Sequence, residues 1–128
     1  MARKKRSKSR KQSTLNKIET KVYNILKSLG VSFKVQTSVD RYNVDFLVED
    51  KYIIECFGDF WHCNPQKYKP DFFNRGKKKT AEEIWQRDKC RKNTFEELGY
   101  KFLNLWESEL GGSCKSARKK IRWLLERE

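Results

Sequence analysis

Glu19, Asp45, Asp88 and His62 stand at positions where a folded chain would place core residues, and Glu55 is a fifth of the same kind. Each of the four carboxylates falls on the apolar face of an otherwise regular helical or strand pattern. Burying an unpaired carboxylate costs several kcal/mol or forces it to take a proton. Repeated placements of this sort point to a cation, or a reaction, where the groups converge. Two carboxylates on neighbouring strands seat a hard divalent ion. Mg²⁺ accepts a few carboxylate oxygens and keeps several waters. Such an ion polarises a phosphate and activates water. A histidine just beyond the second strand could take the proton from that water, since imidazole titrates near pH ~6.5. Glu19 and Asp88 could orient the histidine or hold waters from flanking helices. Singly these signals are bland: a loop histidine is ordinarily a structural hydrogen-bonder, and a helical aspartate is ordinarily solvated. Together they favour phosphodiester hydrolysis.

The elements that must position these groups follow from periodicity. Residues 14–29 read as a helix, with Ser13 or Thr14 as cap, Gly30 as left-handed stop, and Leu15, Ile18, Val22, Ile25, Leu26 and Leu29 as its stripe. Glu19 lies within that stripe; its bland alternative is an edge position reaching water. Residues 32–36 read as a strand, and residues 42–48 and 52–57 as a hairpin. Alternation groups Tyr42, Val44, Phe46 and Val48 on one face, and Asn43, Asp45 and Leu47 on the other. It also groups Ile53, Glu55 and Phe57. A three-residue turn at 49–51 would set Asp45 opposite Glu55, whereas a two-residue turn would set it opposite Ile54. The metal reading requires the odd-length turn. Residues 58–79 hold both prolines, the only histidine and five aromatic residues, a composition for a built functional loop.

A capping box from Thr80 to Glu83 opens a second helix ending near Leu98 and Gly99, with Ile84, Trp85, Phe95 and Leu98 inward and Asp88 on the same stripe. A strand at 101–106 and a helix from about Ser113, with Ala117, Ile121, Leu124 and Leu125 inward, complete the order αβββαβα. Trp85, Trp106 and Trp123 fall at core positions of these elements. The reading is a single α/β nuclease domain over residues 13–128, a mixed sheet flanked by helices, preceded by a disordered basic arm over residues 1–12.

Thirty Lys and Arg face 17 Asp and Glu, a net charge of +13. That excess points to a polyanion, nucleic acid first and an anionic membrane second; the partner expected is double-stranded DNA. No apolar run approaches a membrane span, and no signal-peptide core is present. The four cysteines form no C-x-x-C pair. Seven of the first twelve residues are Lys or Arg, Arg3, Lys4, Lys5 and Arg6 among them, and are read as neutralising phosphates. Lys67, Lys69, Arg75, Lys77, Lys78 and Lys79 in the loop, then Arg87, Lys89, Arg91 and Lys92, flank His62 and Asp88. They are placed on phosphates for that reason, as contacts that position without reading sequence. The basic run of the last helix is left as a solvated face.

The motifs also carry a resemblance. Glu19 in the first helix, Asp45 in V-D-F, G-D-F-W-H at 58–62, R-D at 87–88 and G-Y-K-F-L-N-L-W-E at 99–107 resemble the very-short-patch-repair (Vsr) endonucleases and their homing-nuclease relatives. Those belong to the PD-(D/E)XK superfamily, and the match covers roughly residues 14–110. The resemblance implies a Mg²⁺-dependent DNA-nicking or DNA-cleaving fold, with Mn²⁺ as a substitute ion. It makes Asp45 the metal ligand and His62 the general base, with Glu19 and Asp88 in flanking positions of a Glu–Asp–His–Asp site. The superfamily's E-x-K reads Glu55-Cys56-Phe57 here, so its lysine is missing. Glu55 keeps the acidic position and is assigned as a second metal ligand, with Asp59 also within reach by spacing. The repair enzymes have a second histidine where Phe57 stands. They also need zinc-binding cysteines at the positions of Asp59 and Ser108, so no zinc is expected. In that family the aromatics matching Phe60 and Trp61 wedge into the base stack; the alternative here is core filler.

The function expected is a nicking DNA endonuclease of homing or phage type, acting as a monomer or a transient dimer on DNA. Its setting would be the cytoplasm of a bacterium or phage-infected cell, or the nucleus of a eukaryote. The alternatives are a mismatch-repair nicking enzyme, a junction resolvase, or a catalytically silent DNA-binding module.

Overall fold

The computed structural model describes residues 15–126. The basic arm, with Arg3, Lys4, Lys5 and Arg6, lies outside the described residues, as do Ser13 and Thr14. Helix α1 spans Lys17–Leu29, with Asn16 as its cap and Gly30 at φ 72° as its stop. Asn16 and Glu19 close a reciprocal capping box, which starts the helix three residues later than the periodicity suggests. Strands β1 (Phe33–Val39), β2 (Tyr42–Val48) and β3 (Tyr52–Phe57) follow. A small hairpin of β4 (Phe73–Asn74) and β5 (Lys79–Thr80) organises the long loop. Helix α2 is Ala81–Glu97, capped by Thr80 with Glu83 as expected. Strand β6 (Lys101–Trp106), a 3₁₀ turn at Glu107–Leu110 and helix α3 (Lys115–Glu126) end the described chain.

The main sheet runs β1-β2-β3-β6, with β1-β2 and β2-β3 antiparallel and β3-β6 parallel. Its two faces bury separate cores. Val22, Ile25 and Leu26 of α1, with Ala117, Ile121 and Leu124 of α3, pack on Phe46, Val48, Tyr52, Ile54 and Leu105. On the other face Phe95 of α2 packs on Val39, Val44, Leu47 and Ile53. The sheet is thus sandwiched between α1/α3 and α2, the layering that lets helices on both sides cover it. A third cluster, Cys63, Ala81 and Ile84 with Tyr68, Phe72 and Trp85, fastens the loop to the start of α2.

The hairpin turn has three residues. Val48 pairs with Tyr52 and Phe46 with Ile54, so continuing the register by one step sets Asp45 opposite Glu55. Strict alternation fails at this same place. Val44 packs with Leu47 rather than with Phe46 and Val48, although Val44 and Leu47 are an odd number of residues apart. In β1, Val35 and Val39 likewise go to different cores. Both strands turn over together at the Gln36–Asp45 step, the one position missing from an otherwise regular β1-β2 pairing. Gln36 there adopts φ 45°. The expected common face for Tyr42, Val44, Phe46 and Val48 is corrected accordingly.

Three apolar expectations also fall. Trp123 is 60% exposed, and Leu29 and Leu98 are exposed at the helix ends. Trp85 and Trp106 are half-buried and do pack: the Trp85 indole donates to the Cys63 carbonyl at 2.6 Å, and Trp106 meets Phe57 edge-on.

Candidate active site

One cleft of about 910 Å³ opens between β2, β3 and α2, and Glu19, Asp45, Glu55, His62 and Asp88 all line it. The five residues chosen from sequence therefore converge. Lys77, Arg87 and Arg91 supply positive charge along its walls.

His62 is held on two sides. Its Nδ1 lies 2.9 Å from Asp88 Oδ2. An ionised carboxylate only accepts, so the Nδ1 carries the hydrogen and Nε2 keeps a free lone pair. The imidazole also stacks flat on Phe57, with centroids 3.9 Å apart and planes 4° from parallel. The stacking on Phe57 fixes the plane of the ring. The Asp88 position arises because α2 puts Ile84, Asp88, Arg91 and Phe95 on one stripe, at spacings of four, three and four.

Asp45 is the perturbed acid. Its carboxyl is raised from 3.8 to about 6, first by burial and then by the negative charges of Glu55 and Glu19. Two donors resist that shift: the Cys56 amide to Oδ2 at 2.9 Å and the Gln36 amide to Oδ1 at 3.2 Å. The Cys56 thiol beside it is pushed far up, again by burial first and then by Asp45, Glu19 and Glu55, which leaves it un-ionised and unreactive.

Glu19 is 5% exposed, so the solvated-edge reading fails. Its Oε1 closes the α1 capping box on the Asn16 amide at 3.1 Å, and its Oε2 accepts from Gln36 at 3.4 Å. Glu55 is gripped by Arg91, Nε to Oε1 at 3.0 Å and Nη2 to Oε2 at 2.7 Å. Arg91 Nη2 also donates to the Asn43 carbonyl at 2.8 Å, and the guanidinium lies over the Tyr42 and Phe95 rings. Arg91, expected on a phosphate, instead neutralises Glu55.

Asp59 stands outside the cleft. Its oxygens accept from Asn64 at 3.0 Å and Lys67 at 2.9 Å, and Asn64 also reaches Ser108 at 3.5 Å. Burial would raise its carboxyl, but the Lys67 and Asn64 bonds and the Lys67 charge overcome that and hold it below the usual range. Asp59 and Ser108 thus share one hydrogen-bonded network through Asn64. Lys67, expected on DNA, spends its charge there.

Phe60 and Trp61 are 46% and 50% exposed, so they are not core filler. They lean on each other at 5.9 Å, and Lys77 sits over the Trp61 ring. Burial lowers the Lys77 ammonium. The platform beneath is built: Asn74, fully buried, donates to the Phe60 carbonyl at 2.8 Å. Gly76 lets the backbone approach the indole, since a Cβ there would sit 2.5 Å from Trp61 Cζ3. Phe73, which the sequence reading passed over, is exposed on the same hairpin. Lys69, Arg75, Lys78, Lys89 and Lys92 are exposed, Lys79 is half-buried, and only Lys77, Arg87 and Arg91 of the basic set line the cleft.

Among the described residues no group of three or more His, Cys, Asp and Glu stands ready to hold a metal. Mg²⁺ ordinarily needs less than that, one or two carboxylates with waters and substrate phosphate completing its shell. A half-buried carboxyl raised to about 6, by desolvation first and by the Glu55 and Glu19 charges after it, is a place a divalent cation would relieve. Each Glu55 oxygen keeps a second lone pair beyond its bond to Arg91. The donor set fits Mg²⁺ on those grounds.

The chain matches no protein-family model and no curated protein. Among solved structures it is similar to the homing endonuclease I-Bth0305I catalytic domain. The identity is 21% and the TM-score 0.61, over 89% of this chain and 100% of that one. The fold is therefore the mixed α/β fold of a homing-endonuclease catalytic domain, a four-stranded sheet carrying three helices. No helix among the described residues is long and apolar enough to cross a membrane.

Proposed function

We propose that this protein is a Mg²⁺-dependent DNA endonuclease that nicks one strand, a Vsr-like member of the PD-(D/E)XK nucleases of homing or phage type. The observation that carries the reading is the His62–Asp88 pair opening onto the same cleft as the raised Asp45 carboxyl. A basic chain with the fold of a homing-endonuclease catalytic domain supports DNA as the substrate.

Asp45 and Glu55 would hold the ion, and Mn²⁺ would serve in its place. When bound, the ion supplies Lewis acidity at the scissile phosphate. His62 takes the proton of the attacking water at Nε2, while Asp88 holds the opposite nitrogen and stabilises the imidazolium as it forms. Phe57 keeps the ring in plane, so the base meets the water without a search over orientations. Glu19 supports Asp45 from α1. Arg87 and Lys77 reach phosphates beside the cleft, with Lys69, Arg75, Lys78 and Lys79 further along the loop. Phe60 and Trp61 wedge into the stack from their built platform, bending the duplex toward the site.

Incubation of supercoiled plasmid with the protein and Mg²⁺ tests this. Open circles are expected; linear product from the first time points would overturn single-strand nicking, and no product at all would overturn the enzyme.

A further inference from the structure

We infer that Gln36 is a positioning residue for Asp45, tying its carboxylate to that of Glu19 through one amide nitrogen beside the proposed cation site. The inference rests on the proposed metal site and adds to it a residue outside the Glu–Asp–His–Asp set.

Gln36 is a 6%-exposed polar residue in the middle of a strand, and its backbone is left-handed at φ 45°. That region is disfavoured for a residue with a Cβ, and such conformations persist only where the surroundings hold them. Its side-chain amide explains what is gained. The single nitrogen Nε2 donates to Asp45 Oδ1 at 3.2 Å and to Glu19 Oε2 at 3.4 Å. The amide oxygen accepts from Asn43 Nδ2 at 3.0 Å. That third bond fixes the sense of the amide, because flipping it would point an oxygen at two carboxylates and a nitrogen at another NH₂.

The left-handed step also does mechanical work on the sheet. It falls at the one unpaired position of the β1-β2 ladder, opposite Asp45, where both strands exchange faces. One residue therefore sets where the Asp45 backbone turns and where its carboxylate points. Gln36 does not line the cleft, whereas Glu19, Asn43 and Asp45 do. It acts on the carboxylates from outside the cleft. Outer partners of this kind orient metal ligands, and their loss commonly costs 10–100-fold in affinity.

Two variants separate positioning from simple folding. Gln36→Gly removes the amide and accepts φ 45° without strain; Gln36→Met keeps the length and removes the donors. Mg²⁺ and Mn²⁺ affinities are measured calorimetrically on the full chain without DNA, alongside crystal structures of wild type and Gln36→Met. We expect Gln36→Gly to stay folded with a single cooperative melt, yet to bind the ion about 10–100-fold more weakly. In Gln36→Met crystals the Glu19 and Asp45 carboxylates should stand apart from their wild-type positions. Unchanged affinity in a folded Gln36→Gly, or unmoved carboxylates in Gln36→Met, would overturn the inference. A wild-type protein that binds no divalent ion would instead sink the proposed metal site, and the Gln36→Met coordinates would still decide the positioning role.

Discussion

Asp88 reaches across 26 residues of sequence to hold His62 at 2.9 Å, and the ring it holds lies flat on Phe57. The pair fixes the tautomer of the histidine proposed as the base. His62→Ala should lower nicking by about 10²–10⁴-fold with DNA binding little changed. Asp88→Asn should lower it by a smaller factor, because an amide can hold the ring but no longer stabilises the imidazolium. Rates at saturating DNA, compared with binding isotherms, check both. Equal loss of binding and cutting would assign the pair to folding.

Phe57→Leu removes the stacking surface and leaves the hydrogen bond. A fall in rate of about tenfold is expected, with the pH profile unmoved, since the Asp88 contact sets the proton's position. A pH profile displaced along its axis would give Phe57 an electrostatic role instead.

Asp45 should make stability fall as pH rises. Its folded-state value, about 6, lies above its ordinary 3.8, so the folded protein holds a proton that the unfolded chain has released across that window. The contribution is fully present below about pH 4 and is lost as pH climbs through 6. Asp45→Asn should therefore match wild type near pH 4 and exceed it at pH 8 by on the order of 2 kcal/mol, less whatever is lost where the new NH₂ meets the Gln36 amide. Urea melts at the two pH values, without added metal, measure the difference. The same titration should make cutting rise through pH 6, because only the ionised carboxylate holds a cation.

Much of this arrangement could be read from the chain, for reasons particular residues show. The hairpin followed from alternation on either side of residues 49–51; its odd turn was required by the metal reading alone, and that turn continues the register toward Asp45 opposite Glu55. Thr80 and Glu83 announced the start of α2, which fixes the angle of Asp88. Arg91 was visible but misassigned: its place on the Ile84–Asp88–Phe95 stripe pointed at the site, yet it resembled one more cation in a basic run. Gln36 carried no signal, because a left-handed step within a strand leaves no mark on hydrophobic periodicity. For the same reason the exchange of faces at Val44 was not expected. Trp123 was misplaced because it lies off the Ala117–Ile121–Leu124 stripe, two residues after Ile121, and so turns outward while Leu124 beside it packs.

Arg91 and Glu55 form a bidentate pair in which Glu55 is buried. Arg91→Met should destabilise by about 2–3 kcal/mol, since it strands a buried carboxylate. Adding Glu55→Gln should recover part of that loss. A double-mutant cycle in denaturant gives the coupling. Additive effects would show that the pair contributes nothing beyond its separate parts.

The aromatic platform and the cations divide their work. Trp61→Ala and Phe60→Ala should reduce bending of bound DNA while melting stays within a few degrees of wild type. Gly76→Ala should mimic Trp61→Ala, because the new methyl displaces the indole. Lys77→Ala and Arg87→Ala should each lower the salt slope of binding by about one. Lys67→Ala should instead cost stability, as its ammonium is bound to Asp59. Bending assays and binding across a salt series test these assignments.

The central claim is tested most directly by a plasmid-nicking assay with Mg²⁺, run on wild type and Asp45→Ala at matched DNA occupancy. Wild type should convert supercoiled plasmid to open circles, and Asp45→Ala should bind the same plasmid and leave it intact. Full cutting by Asp45→Ala, or none by either protein while both bind, would contradict the account.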